Sequence, residues 1–503
     1  MFRIFGPPGT GKTTTLLNMV DTALQNGVSP YNIAFLAFTR KAAYEAKERA
    51  AKRFNLDPEK DLPYFRTLHS LAYSMLGIRD TQLMKKEDFD DLSKKIGISL
   101  TISKVSEDDD MEMLTSDHPI LNLINLSRLK KTDLRKEYNR TNLEFTWVEV
   151  DYVNRAYTEF KQARGLIDYT DMLVEFVNGA VNYCPEFDLC FMDEAQDLSP
   201  LQWDIAHALD SRAKRMYCAG DDDQAIYKWA GADVEHFINL DGGSEVLEQS
   251  YRIPFEVLKV AEGISKRIHQ RFPKKYLPRK DRGMVRKIYG IQEVDMSEGE
   301  WLVLAQANYM LSSVATQLKY DGYLFERNGF RSIPEKISSA VNGWESLRKD
   351  RKIDCKTAQN IYDYMSGNGK HVARGFKKFS EMDKDKLFDM PTLQLQYGLC
   401  VDPNKIWHEA LDKLPDVDKI YITSLLRRGE KFNAVPRIKL STIHGAKGGE
   451  ADNVVLFTDL STAAQKEVGD DMHRVFYVGV TRSRQNLYVV EPEDVTRGYP
   501  VPC

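Results

Sequence analysis

The octet GPPGTGKT, Gly6 to Thr13, constrains the fold more than any other stretch of the chain, because it works only as the turn between a strand and a helix. Its flanks suit that role. Phe2 to Phe5 is apolar enough for a buried strand, and Thr14 to Asn26 carries a helical pattern closed by Gly27. Gly6, Gly9 and Gly11 permit a tight turn whose backbone N–H groups converge on phosphate oxygens. Lys12 adds a cation and Thr13 a hydroxyl for Mg2+, so the loop reads as a site for ATP or a close relative. Gly6, Gly9, Thr10, Gly11, Lys12, Thr13 and Thr14 form the expected nucleotide-binding set.

Short apolar runs recur between helical stretches, at Ile33 to Phe38, Leu189 to Met192, Arg215 to Ala219, Trp301 to Ala305, Ile438 to Ile443, Val454 to Phe457 and Leu487 to Val490. Such runs read as parallel strands buried on both faces. Their alternation with helices predicts an α/β protein with two parallel sheets flanked by helices, and 503 residues suggest about three or four domains or subdomains. Two helical stretches interrupt the pattern. Residues 81–150 are polar and hold an acidic run, Glu107 to Asp110, that reads as a solvated loop; Glu345 to Lys431 is rich in lysine and arginine and contains the flexible Ser366-Gly367-Asn368-Gly369.

A net charge of −4 excludes a surface that is basic throughout, so any nucleic-acid site must be regional. The six cysteines, at 184, 190, 218, 355, 400 and 503, form no CxxC pair and no zinc-ligand spacing with histidine. No apolar run approaches the ~20 residues needed to span a bilayer, and the start lacks a signal-peptide layout. The expectation is a soluble, cytoplasmic protein with reduced thiols and no membrane partner.

Leu189 to Asp197 reads LCFMDEAQD, an apolar strand ending in adjacent carboxylates, which is where open α/β sheets place their sites. Alone, the pair Asp193 and Glu194 would suit a surface acidic turn. After a hydrophobic strand, in a chain that also has the phosphate loop, Asp193 is expected to hold Mg2+ with Thr13, and Glu194 to orient and deprotonate the attacking water. Arg252 in LEQSYRIP and Arg482 in YVGVTRS are candidates for stabilising charge that develops on the transferred phosphoryl group.

Read in order, GPPGTGKT, AFTRKAA, RTLHS, DEAQD, GDDDQAIYKWAGAD, LEQSYRIP, STIHGAKGGE and YVGVTRS make the chain resemble the UvrD-like superfamily 1 DNA helicases, over roughly residues 1–80, 150–345 and 431–490. The resemblance implies two RecA-like P-loop domains with ATP between them. Residues 1–80 and 151–260 would form the first core, 81–150 a helical accessory insertion, 261–344 and 432–503 the second core, and 345–431 a reduced helical insertion. The first core would supply the phosphate loop and DEAQD, the second Arg252 and Arg482. Gln224 would read the γ-phosphate and Glu450 would lie beside the nucleotide.

On the DNA side, the resemblance makes Tyr227 and Trp229 a stacking platform a few residues beyond the sensor Gln224. Phe38, Thr39, Lys41, Thr67, His69, Thr442, His444 and Lys447 would contact the strand. Chemistry agrees, since tracking a single strand without reading sequence needs aromatic faces and phosphate contacts. Taken singly, His69 or His444 suits a structural histidine, and Tyr227 with Trp229 suits a core pair. The implied activity is ATP-driven translocation 3′ to 5′ on single-stranded DNA with unwinding of partially duplex DNA. Two alternatives stand beside it: a translocase that displaces proteins or remodels recombination intermediates without strong unwinding, and a nucleotide-gated DNA-binding module.

Lys266 to Lys287, KRIHQRFPKKYLPRKDRGMVRK, interleaves Phe272 and Tyr276 with cations and reads equally as a guide for the DNA backbone or as a solvated linker. The sequence also departs from the family. No glutamine-bearing, adenine-reading segment precedes the loop, so ATP preference should be modest. Ala230 follows Trp229 where the family has arginine, with Lys228 a partial replacement. The second insertion is short, which puts duplex engagement in question, and the chain ends soon after YVGVTRS without a fused nuclease or long tail.

Overall fold

The computed structural model describes residues 1–100, 118–432, 434–465, 469–492 and 494–503, so the acidic run Glu107 to Asp110 lies outside the described residues. The described chain forms two compact units. One holds residues 1–283 together with the helix Asp470–Val480; the other holds residues 284–465 and 482–501. The first division therefore falls after Gly283, later than the boundary at 260 expected from sequence.

In the first unit, β1 (Phe2–Phe5), β2 (Ile33–Ala37), β3 (Phe65–Thr67), β4 (Phe187–Met192), β5 (Ala213–Gly220) and β6 (Ser244–Val246) form one sheet in the order β3-β2-β4-β5-β1-β6. Every pairing in it is parallel. β2 is buried at all five residues because helices cover both faces, which is what its uninterrupted apolar run requires. Phe35 at its centre stacks on Phe65 and packs at a tilt against Phe191. The predicted β1 appears with the expected bounds, and the helix after the loop runs Lys12–Gln25 with Gly27 at φ 83°.

The stretch 81–150 contributes the helices Lys86–Ile96, Pro119–Leu129 and Leu134–Arg140, and the start of Trp147–Arg164. They bury an apolar cluster of their own around Phe89, Leu92, Ile124, Val150 and Val153. The last helix runs well past residue 150. Its C-terminal half carries Tyr157 and Lys161, which join Arg128 on the buried Asp168 at 2.8, 2.5 and 2.7 Å. That carboxylate pins the helices to the segment leading back to the sheet.

In the second unit, β7 (Met284–Ile288), β8 (Trp301–Ala305), β9 (Phe325–Arg327), β10 (Phe330–Arg331), β13 (Ile438–Thr442), β14 (Ala451–Phe457) and β15 (Ser483–Val490) form a sheet in the order β10-β9-β13-β8-β14-β15-β7. It is parallel except for the edge pair β9 and β10. A small antiparallel pair, β11 (Ile353–Asp354) with β12 (Leu387–Phe388), lies in the stretch 345–431. The apolar side chains of that stretch, among them Ile361, Tyr362, Leu393 and Trp407, belong to one continuous core with Trp301, Val303 and Leu440 of the sheet. The mixed α/β architecture with parallel sheets is the one expected of two RecA-like domains.

The helix Asp470–Val480 follows second-unit strands in sequence yet packs within the first unit. Asp470 accepts from the backbone N–H groups of His269 and Gln270 at 3.0 and 2.8 Å. Burial alone would raise this carboxyl, but those N–H groups outweigh it and hold the group down at about 2. Its folded value is below the usual carboxylate value near 3.8, so its contribution is present above about pH 4 and is lost as pH falls toward 2. Asp470→Asn is expected to lose about 1 kcal/mol at pH 7, discounted for partial solvent screening, with the gap from wild type closing near pH 3 in urea titrations.

Candidate nucleotide and strand-binding site

Gly9 and Gly11 adopt φ of 72° and 79°, the left-handed region in which glycine is unstrained. Gly11 caps the helix Lys12–Gln25 without any side-chain hydrogen bond, so the helix opens with backbone N–H groups and its positive dipole end directed at the loop. A Cβ on Gly6 would fall 2.0 Å from Lys12 Cγ, and one on Gly9 would fall 2.2 Å from Arg252 Cβ. Gly9 is thus dictated by crowding as well as by torsion, Gly6 by crowding and Gly11 by torsion. Thr10 is buried and donates to Pro7 O at 2.8 Å, bracing the turn from inside, whereas Thr14 is exposed.

Lys12 Nζ donates to Gly6 O at 3.0 Å and lies 3.7 Å from Glu194 Oε1. Thr13 Oγ1 donates to Asp193 Oδ2 at 2.7 Å. The loop after β1 and the end of β4, with β5 between the two strands, thus bring lysine, threonine and both carboxylates together at one end of the parallel sheet. Burial, and then the neighbouring Glu194 charge, push the Asp193 carboxyl up to about 6. A cation at that spot would relieve both effects. Among the described residues, no group of three or more histidine, cysteine, aspartate or glutamate side chains is placed to hold a metal ion. The oxygen pair Thr13 and Asp193 fits Mg2+, which takes few protein ligands and completes its shell with phosphate and water.

Arg252 is grouped with the first unit, which agrees with the expected bounds 151–260 of the first core and not with the second core to which the resemblance assigns it. Its loop is tied to the phosphate loop: Ser250 Oγ donates to Pro8 O at 2.8 Å and Tyr251 N to Gly9 O at 2.8 Å. Arg482 lies in the second unit, buried, with Nη1 donating to Gly449 O at 3.1 Å. Glu450, beside it in sequence, is exposed and lies 3.6 Å from Arg484 Nη1.

Gln196 was not singled out in the sequence, and it proves central. Its Nε2 donates to Glu194 Oε2 at 2.6 Å, and its Oε1 accepts from Asp221 N at 2.9 Å. Asp221 Oδ2 in turn accepts from Gln224 Nε2 at 2.6 Å. A buried chain of hydrogen bonds therefore runs from Glu194 to the sensor candidate. The sequence signal was the glutamine inside DEAQD, a buried amide that must find partners.

In the basic stretch, Arg271, Phe272, Lys274 and Tyr276 turn into the first unit, whereas Pro273 and Lys275 between them are exposed. Lys274 is fully buried, with Nζ at 3.0, 2.6 and 2.8 Å from Asp221, Asp222 and Asp223. Arg271 makes a bidentate pair with Asp223 at 2.8 and 2.6 Å, and Phe272 stacks on Phe5 of β1 with centroids 4.0 Å apart. Burial pushes Asp222 up to about 6; at Asp223 the charges of Lys274 and Arg271 outweigh burial and hold the carboxyl below its usual range.

The aromatic candidates converge within the first unit. Phe38, just after β2, stacks on Tyr227 at 5.8 Å, and Tyr227 meets Trp229 edge-on at 6.2 Å. Trp229 is 57 % exposed, an indole face open to solvent rather than core. Lys228 pairs with Asp471 at 3.3 Å. Thr39 and Thr67 cap the helices Arg40–Phe54 and Leu68–Leu76, accepting from Ala42 N and Ser70 N. His69 is buried against Tyr169. Thr67 and His69 also line a cavity of about 500 Å³ with Arg40, Arg66 and Tyr73. The side chain of Lys41 lies outside the described residues. In the second unit, Thr442 ends β13 and its Oγ1 accepts from Gly445 N at 3.1 Å, with His444 and Lys447 in the turn that follows.

A family model described as the UvrD/REP helicase N-terminal domain matches residues 2–243, and one described as the UvrD-like helicase C-terminal domain matches residues 438–490. The chain is 24 % identical over 387 residues to an ATP-dependent DNA helicase PcrA of Leuconostoc citreum, covering 72 % of this chain and 50 % of the relative. It thus spans half the length of that protein. Two probable DNA helicase II homologues align along more of their length. That of Rickettsia conorii is 24 % identical, covering 98 % of this chain and 91 % of the relative. That of Mycoplasma genitalium is 22 % identical, covering 97 % and 82 %. Among the described residues, no helix is long and apolar enough to cross a membrane.

The close approach of Gly9 and Arg252 yields a direct test. Gly9→Ala places a strained Cβ where the arginine loop packs, and is expected to weaken binding of a fluorescent ATP analogue at least ~10-fold with helix content unchanged. Wild-type affinity would show that this contact does not shape the pocket.

Proposed function

Because the chain belongs to the UvrD-like superfamily 1 helicases, we propose that it is an ATP-dependent DNA helicase that moves 3′ to 5′ along single-stranded DNA and unwinds duplex ahead of it. The observation that carries this reading is the loop Asp221 to Trp229. Gln224 at its start is hydrogen-bonded through Asp221 and Gln196 to Glu194, while Tyr227 and the exposed Trp229 sit three and five residues further on. A change at the γ-phosphate is therefore felt within one short loop by an aromatic stacking surface. Such a loop gives hydrolysis state a differential effect on strand affinity, which motor action requires.

In this mechanism the backbone N–H groups of the phosphate loop and Lys12 hold the β- and γ-phosphates. Thr13 and Asp193 would hold Mg2+, which would neutralise charge on the phosphate oxygens. Glu194 orients the attacking water and accepts its proton. Arg252, and Arg482 from the second core, stabilise the charge of the transferred group, and Gln224 reports its presence or loss. Glu450 flanks the nucleotide. Phe38, Tyr227 and Trp229 stack bases, while Thr39, Lys41, Thr67, His69, Thr442, His444 and Lys447 contact the strand between them.

A second reading, a single-strand translocase that displaces bound proteins without strong unwinding, is favoured by the stretch 345–431. Its apolar residues are spent on the core of the second sheet, which leaves less of it to engage duplex. Forked-duplex unwinding and protein displacement measured side by side separate the two.

Lys12→Ala is expected to lower DNA-stimulated ATP hydrolysis by at least ~100-fold while single-strand binding stays within about threefold of wild type. Unwinding should occur on 3′-tailed duplexes and be absent on 5′-tailed and blunt ones; unwinding from 5′ tails alone would refute the polarity. Trp229→Ala should weaken single-strand binding by about 1–3 kcal/mol, read by fluorescence anisotropy, with unstimulated ATP hydrolysis little changed.

A further inference from the structure

Lys274 has no part in the mechanism above, yet it is a fully buried cation 3.0 Å from Asp221, the residue that orients Gln224. We propose that Lys274 is a positioning residue for ATP hydrolysis, clamping the Asp221 carboxylate so that the Gln224 carboxamide is held toward the γ-phosphate. The proposal rests on the functional reading of Gln224 and extends it to a segment outside the sensor loop.

The geometry is specific. Lys274 contacts Oδ1 of Asp221 and Gln224 contacts Oδ2, so one carboxylate is gripped from both oxygens and cannot rotate without breaking both bonds. The same residue's backbone N–H is fixed on Gln196, which also holds Glu194. Among the described residues Lys274 is the cation paired with Asp221, since Arg271 is committed to Asp223. Anchorage of the segment alone would be met by the Arg271 pair, by Phe272 N donating to Asp222 Oδ2 at 2.7 Å, and by Phe272 stacked on Phe5. The bond to Asp221 adds a link to the sensor. Phe5 is the last residue of β1 before the phosphate loop, so the clamp is referenced to the strand that sets that loop.

A double-mutant cycle on DNA-stimulated ATP hydrolysis by the full chain tests this, using Asp221→Asn, Lys274→Met, Gln224→Ala and each paired with Gln224→Ala. Asp221→Asn keeps the side-chain shape and removes charge from an anionic cluster, so it carries the test if Lys274→Met fails to fold. Both are expected to lower kcat ~10–100-fold with KM for ATP within about threefold. Added to Gln224→Ala, either should lower kcat by less than about twofold, because the group it positions is already gone. Wild-type kcat in Asp221→Asn, or losses that multiply with Gln224→Ala, would overturn the proposal. A wild-type chain without DNA-stimulated turnover overturns the functional reading itself.

Discussion

The contact between Lys274 and three aspartates is the constraint around which the first unit is arranged. Removing an ion from water costs several kcal/mol, and attraction in the interior repays it only where geometry is good and remaining polar atoms are satisfied. Here they are: Lys274 meets three carboxylates, Arg271 covers Asp223, Phe272 N covers Asp222, and Arg474 donates to the Asp222 carbonyl at 3.0 Å. Apolar side chains of equal volume would fill the space. They would not hold residues 221–224, 271–276 and 470–480 in one mutual arrangement, with an oriented acceptor left over for Gln224.

Fold and site differ in how much of each can be read from the chain. The strands β2 and β8 are uninterrupted apolar runs, and local pattern suffices for them. β6 and β7 sit at sheet edges and expose charged residues such as Glu245, Arg286 and Lys287, so their runs look polar. The site residues with motif spacing, Lys12, Thr13, Asp193 and Glu194, fall together as their loops require. What escaped notice was complementarity over distance. GDDDQ looks like an acidic surface turn and RFPKK a basic one, and only when residues about 50 apart meet do both become interior. Periodicity sees neighbours and not such pairs. The loop of Arg252 is another such case, since it is bound to the phosphate loop through the Ser250 hydroxyl and the Tyr251 N–H, contacts that no sequence pattern records.

Several strand-facing residues carry structural duties as well. Thr39 and Thr67 cap helices, and His69 is packed on Tyr169. The two roles are compatible, because a hydroxyl is both a donor and an acceptor. Side chains fixed by such bonds have little rotamer freedom left to lose on meeting a phosphate. Trp229 is the contrast: a largely exposed indole that meets Tyr227 edge-on.

The helix Asp470–Val480 has one more consequence, for biogenesis. Its Arg474 and Tyr477 complete the interior beside Asp222 and Tyr276, although almost 200 residues of the other unit are translated in between. While the ribosome is making those residues, the aspartate cluster and the helix Phe255–Ser265 lack their final cover. The nucleotide-binding half therefore reaches its mature interior only after residue 480 has emerged, and ordinary N-terminal-first maturation is reversed for its last step.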